Sequence, residues 1–198
     1  MSRFAAPVAL CLLLLAACGG GPILTPITST SPSRYSPSDV MRVMLSPPGD
    51  AGEAASRIVS ARIVEVLQQT HGDVALLPTW NVEEAIAASR QAKAKYLISP
   101  TIVEWTDKHA PPLTADRVKV RLDLRDPNAG DVVSSLMFEN TSSLLTAVDT
   151  PPEALLDSSF DRAVRVLITT GSGQDVVRQP GPRVLENVPV DEQKFPRQ

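Results

Sequence analysis

Val118-Lys119-Val120-Arg121-Leu122-Asp123-Leu124-Arg125 alternates apolar and charged side chains without a break. Side chains of a strand point to opposite faces in turn, so this stretch predicts a strand with one face in a core and the other in water. Asp126-Pro127-Asn128-Ala129-Gly130-Asp131 follows with turn chemistry, and Gly130 can take a positive φ. Residues 132–143 then return as a partner strand, which makes an antiparallel hairpin.

Upstream of the hairpin the pattern changes to strands that alternate with helices. Met41 to Leu45 reads as a first strand, stopped by Pro47-Pro48-Gly49. Asp50 is placed to cap a helix over residues 51–69. Its Ala55, Val59, Ile63, Val66 and Leu67 share one stripe, with Arg57, Ser60 and Gln68 opposite. Val74 to Leu77 is a short continuous apolar run, as in a buried strand. Asn81, with Glu84 three residues on, opens a second helix whose face carries Ala85, Ile86, Ser89 and Ala92. Tyr96 to Trp105 reads as a long strand, where Pro100 implies an edge position or a bulge. Downstream, Thr150-Pro151-Pro152-Glu153 opens a last helix striped by Leu156, Phe160, Ala163, Val164 and Leu167. The expected fold is therefore α/β (α+β): one mixed-sheet domain over residues 40–170, of order β-α-β-α-β-β-β-α. Its first three strands should be parallel and its helices on one face.

Both ends lack that patterning. Residues 1–17 carry Arg3 and then an apolar run through Leu10, Leu12, Leu13, Leu14 and Leu15, the layout of a secretory signal peptide. The run is too short to span a membrane, which takes about 20 apolar residues. Residues 18–39, with Gly19-Gly20-Gly21-Pro22 and many Thr, Ser and Pro, read as a tether. Residues 171–198, with Pro180, Pro182, Pro189 and Pro196, read as a disordered tail.

The 198 residues carry a formal net charge of −3. Of 19 basic side chains only Arg3 lies in the leader, which leaves 18 against 22 acidic ones, a net of −4 after cleavage. Nucleic acid is not an expected partner, because no clustered basic face is present. The two cysteines are Cys11, inside the leader, and Cys18. The processed domain is left with no disulfide and no catalytic or metal-binding thiol. His71 and His109 stand apart without a spaced carboxylate, so neither a metal nor another cofactor is expected. Gly-x-Ser-x-Gly is absent, and Gly171-Ser172-Gly173 follows a helix where it is a stop signal.

Leu15-Ala16-Ala17-Cys18 resembles the lipobox of bacterial lipoproteins. That resemblance implies cleavage between Ala17 and Cys18 and a thioether-linked diacylglycerol, with further acylation such as palmitate, on Cys18. Gly19 in place of aspartate then implies sorting to the outer membrane, on its periplasmic face. The domain itself resembles a family of uncharacterised proteobacterial lipoproteins with a domain of unknown function. The resemblance rests on that lipobox, the first strand ending in Pro47-Pro48, Ala94-Lys95-Tyr96-Leu97-Ile98 leading into Ile102-Val103-Glu104-Trp105, and the turn with Asp126 and Gly130. By topology it is similar, more distantly, to the N-terminal domain of TolB. Related folds occur in the curli-secretion lipoprotein and in the outer-membrane lipoprotein that activates a peptidoglycan synthase.

The chemistry-bearing residues are few. Trp80 and Trp105 each lie at a strand end, where a tryptophan either plugs the core rim or anchors a partner. Lys119, Arg121 and Arg125 share one strand face, which is a solvated face by default and an anion or glycan contact otherwise. Glu83 and Glu84 suit a helix start better than acid–base work. Glu104, Asp107 and His109 are the one grouping that an envelope glycan-acting enzyme could use. The leading expectation is a non-enzymatic, lipid-anchored module that binds an envelope protein. Sharper versions are a cell-wall synthase regulator or a secretion factor, and a small-ligand module with a pocket beside Trp105 is a further alternative.

Overall fold

The computed structural model describes residues 22–29, 36–106, 116–142 and 151–170. The expected leader 1–17, Cys18, Asp107, His109, Thr150 and the tail 171–198 lie outside the described residues. Six strands form one mixed sheet: β1 (Ile23–Ser29), β2 (Met41–Met44), β3 (Val74–Leu77), β4 (Tyr96–Thr106), β5 (Arg117–Arg125) and β6 (Val132–Thr141). The order across the sheet is β1-β6-β5-β4-β2-β3. Among the described residues three helices accompany it: α1 (Gly52–Gln68), α2 (Val82–Gln91) and α3 (Ser158–Thr170).

The hairpin forms as its alternation requires. Val118, Val120, Leu122 and Leu124 are fully buried, β5 pairs antiparallel with both β4 and β6, and Gly130 takes φ +83° in the turn. The strands that alternate with helices are parallel: Met41 lies beside Val74 on one side and beside Tyr96 on the other. Met41, Val43, Tyr96 and Ile98 join the hairpin's apolar face, the α1 stripe and Phe160, Val164 and Leu167 of α3 in one core. At its centre the Phe138 and Phe160 rings meet edge to face, centroids 5.1 Å apart.

Several expectations change. The helices do not share one face: Met44 and Leu97 point the other way, and α2 covers them through Ala85, Val82 and Ile86. Pleating makes this unavoidable for strands buried on both sides. Arg90 ties α2 down there, donating to the carbonyls of Pro127 and Asn128 at 2.5 and 3.2 Å. Residues 23–29, placed in the tether, form β1 and pair with β6 from Ile23↔Glu139 to Ser29↔Ser134. Asp50 lies in a short 3₁₀ turn, and α1 starts after Ala51 without a side-chain cap. Ser60 is buried, not opposite the stripe: its hydroxyl accepts from Ser46 N at 3.2 Å. Beside it the Ser56 hydroxyl donates to the Ser46 carbonyl. Small hydroxylated side chains thus let α1 approach the sheet while pairing backbone groups that water no longer reaches. Pro100 stands in an inner strand, with the bulge between Ile102 and Glu104. β2 pairs with β4 only as far as Ile98, and Ile102 N, on that flank, donates to Ser46 Oγ at 3.1 Å. The missing donor of Pro100 therefore falls where β2 has already ended. Finally, α3 begins at Ser158 after a 3₁₀ turn, Pro152–Leu155, with Asp157 Oδ1 accepting from Ser159 N at 2.8 Å.

Candidate functional site

β3 is a free edge and not the buried strand its apolar run predicts. Among the described residues it pairs with β2 alone, and only Val74 of it is buried, while Ala75 and Leu76 are exposed. Four apolar residues in a row cannot tell an inner strand from an outer one, because strand order is a property of the whole chain. Asp73 opens the edge and pairs with Arg42 Nη1 at 2.7 Å. Leu76 is 38% exposed, Trp80 49%.

The loop that carries Trp80 is fixed on both sides. Leu45 N donates to the Thr79 carbonyl at 3.0 Å, which ties the loop to the end of β2. Asn81 N donates to Thr79 Oγ1 at 3.1 Å, and Thr79 Oγ1 donates to Glu84 Oε2 at 2.6 Å. Asn81 Oδ1 caps α2 by accepting from the N–H groups of Glu83 and Glu84 at 2.9 and 3.2 Å. Asn81 caps as its sequence predicts, and the carboxylate of Glu84 acts through Thr79 instead of closing directly on Asn81. Trp80 is thereby a large apolar side chain in solvent on a preorganised backbone, the combination found at interface anchors. Trp105 differs: it packs against the main core and is half-buried. Of the two tryptophans, Trp80 has the exposure a docking anchor needs and Trp105 serves packing.

The polar side of the hairpin is internally paired. Lys119 meets Glu139 at 3.2 Å, and Arg117 meets Glu104 at 3.7 Å. Arg121 Nε donates to Asp123 Oδ1 at 2.8 Å, and Arg125 Nε donates to Ser99 Oγ at 3.0 Å. Asp123 is buried and also accepts from the Ser135 hydroxyl. The basic row is therefore neutralised in place, which weakens it as an anion or glycan contact. Alternation alone marked Asp123 as solvated; its burial follows from Ser135 and Arg121 closing over it. Glu104 accepts from Thr106 Oγ1 at 3.3 Å besides its ion pair.

A third polar group clamps the opposite end of the strands. Lys95 Nζ donates to Asp39 Oδ2 at 2.8 Å, and Ser36 N donates to the same oxygen at 2.8 Å. Burial by itself would raise the Asp39 carboxyl, but these two hydrogen bonds outweigh it and hold the group below its ordinary value of 3.8. The bond to Asp39 raises Lys95 above its ordinary 10.5. His71 is buried next to this end, with Nδ1 2.9 Å from Thr70 Oγ1. Among the described residues no three His, Cys, Asp or Glu side chains are grouped to hold a metal ion. Among the same residues no helix is long and apolar enough to cross a membrane.

These features define a small α+β domain with a mixed sheet, one apolar free edge and an internally paired polar face. The family described as a domain of unknown function, DUF4823, matches residues 40–167, and the chain belongs to it. No curated protein matches the chain. Among solved structures it is similar to the PelC dodecamer from Paraburkholderia phytofirmans, at 20% identity and a TM-score of 0.51, covering 68% of this chain and 94% of that one. Protein XCC0632 from Xanthomonas campestris, of family DUF330, is similar at 16% identity and a TM-score of 0.48, covering 75% and 95%. Lipoprotein GNA1162 from Neisseria meningitidis is similar at 12% identity and a TM-score of 0.36, covering 52% and 85%. At such identities the likeness to PelC is one of fold.

Proposed function

We propose that this protein is a non-enzymatic interaction or assembly module of the bacterial envelope. It is carried by a lipid on Cys18 at the periplasmic face of the outer membrane, and it docks an extended protein segment along β3. The observation that carries the docking is Trp80, half in solvent on a loop whose backbone is held at Leu45, Thr79 and Asn81. Beyond the Val74 carbonyl, which accepts from Gln68 Nε2 at 3.3 Å, β3 offers its outer backbone groups to an added strand, and Leu76 with Trp80 supplies apolar contact for the incoming side chains. The lipid rests on Leu15-Ala16-Ala17-Cys18, and the outer-membrane destination on Gly19. The distant TolB-type reading of the topology belongs to the same proposal.

A photo-crosslinker at Leu76 and at Trp80, with Arg57 on the exposed side of α1 as control, tests the edge in intact cells. One partner captured from both edge positions and not from Arg57 supports the reading. The same yield from Arg57, or none from the edge, overturns it. A ladder in multiples of the chain's own mass would identify the partner as further copies, a form suggested by the dodecameric state of the similar PelC. The enzymatic alternative is tested by replacing Glu104 and Asp107 with alanine in a strain where deletion has a phenotype: a variant that behaves like the intact protein ends that alternative, and one that reproduces the deletion replaces the adaptor reading with a hydrolytic one.

A further inference from the structure

We infer that β1 turns the lipid anchor into a short stem, so that the sheet corner where β1 begins lies at the headgroup layer of the bilayer. The inference rests on the lipid at Cys18 proposed above. Read as a tether, residues 18–39 would reach about 65 Å when extended. The structure removes most of that length, because residues 23–29 are zipped onto β6 and Leu24 packs against the core. Only Gly19 to Pro22 separate Cys18 from Ile23. That segment spans about 18 Å at most, less than the length of β4, whose 11 residues extend about 36 Å.

Register places the stem. Ile23 lies beside Glu139, Glu139 beside Lys119, and Lys119 beside Glu104, in one row across four strands. The turn at 126–131 is at the far end of the hairpin, about 23 Å along β5 from Lys119. The near corner presents Ile23 and Val103, 57% and 53% exposed. Around them are Arg117, Lys119, Glu104 and Glu139, whose charges balance. Apolar side chains within a balanced set of charges suit a zwitterionic headgroup layer, with no need for an anionic lipid.

The test uses the full lipidated chain in phosphatidylethanolamine vesicles that carry a headgroup spin label. With Cys18 acylated and Cys11 removed with the leader, an introduced cysteine is the one free thiol. A fluorophore on Val103→Cys should lose its emission to the spin label, and one on Asn128→Cys should keep it. Inserting about twenty Gly/Ser residues between Gly21 and Pro22 should abolish the loss at Val103. The same insertion between Ser31 and Pro32, on the far side of β1, should leave it intact. Equal quenching at both probes, or equal effects of both insertions, overturns the inference. Intact mass is measured first: a chain without acyl groups overturns the lipoprotein reading and this inference together, while an acylated chain with equal quenching overturns this inference alone.

Discussion

Arg62 on α1 grips Asp161 on α3 through two parallel hydrogen bonds, Nε to Oδ1 at 2.9 Å and Nη2 to Oδ2 at 2.7 Å. The pair joins residues 99 apart in sequence and locks together the two helices that cover the main core. Glu65 adds a third bond to the guanidinium at 2.8 Å, and the hydrogen bonds to Glu65 and Asp161 raise Arg62 above its ordinary value against the opposing effect of burial. A double-mutant cycle with Arg62→Ala and Asp161→Ala should return a coupling of about 1 kcal/mol, at the upper end for partly exposed pairs because the geometry is bidentate. Urea denaturation of the four proteins measures it.

The two tryptophans should separate cleanly. Trp80→Ala should change unfolding stability by less than about 0.5 kcal/mol while removing the crosslinked partner. Trp105→Ala should cost about 2 kcal/mol or more, since its ring packs on the core. Equal stability losses would mean that Trp80 is also a packing residue.

Ser60→Ala should cost about 1–3 kcal/mol, because it leaves Ser46 N buried without its acceptor. Thr restores an oxygen at the same place but adds a methyl where α1 approaches the sheet closely. Amide exchange at Ser46 should quicken in Ser60→Ala if the hydroxyl is what shields it.

Phe138→Ala and Phe160→Ala should each cost about 3–5 kcal/mol. Their effects should fall short of additivity by about 0.5–1.5 kcal/mol, the worth of the edge-to-face contact. Strict additivity in thermal or urea unfolding would remove that contact from the account.

Asp39 and Lys95 give the fold opposite pH limits. The Asp39 carboxyl is lower in the folded chain than 3.8, so its contribution is present above that value and is lost as pH falls through the folded value. Lys95 is higher in the folded chain than 10.5, so its contribution is present below that value and is lost as pH rises through the folded one. Asp39→Asn should flatten the acid limb of the stability curve as pH falls to 3.8 and below. An unchanged acid limb would assign acid unfolding to other carboxylates.

What the chain determined by itself is local. Val118 to Arg125 alternates, the α1 stripe repeats at helical spacing, and Asn81 can reach the N–H groups of Glu83 and Glu84. Each is settled within a few residues by pleat, helical pitch or hydrogen-bond reach. The parallel order of β2, β3 and β4 also followed, because a helix between strands returns the chain to the same end of the sheet. Tertiary structure decided what depends on neighbours far along the chain. β3 became an edge because, among the described residues, no further strand joins it beyond β2. Ile23–Ser29 became β1 because the outer flank of β6, more than a hundred residues later, offered it unpaired backbone groups. Ser60 and Asp123 became buried because Ser46 and Ser135 met their polar atoms. Exposure of Trp80 was decided at the same level: local sequence places it after a strand, and only the position of that strand in the sheet leaves its ring in water.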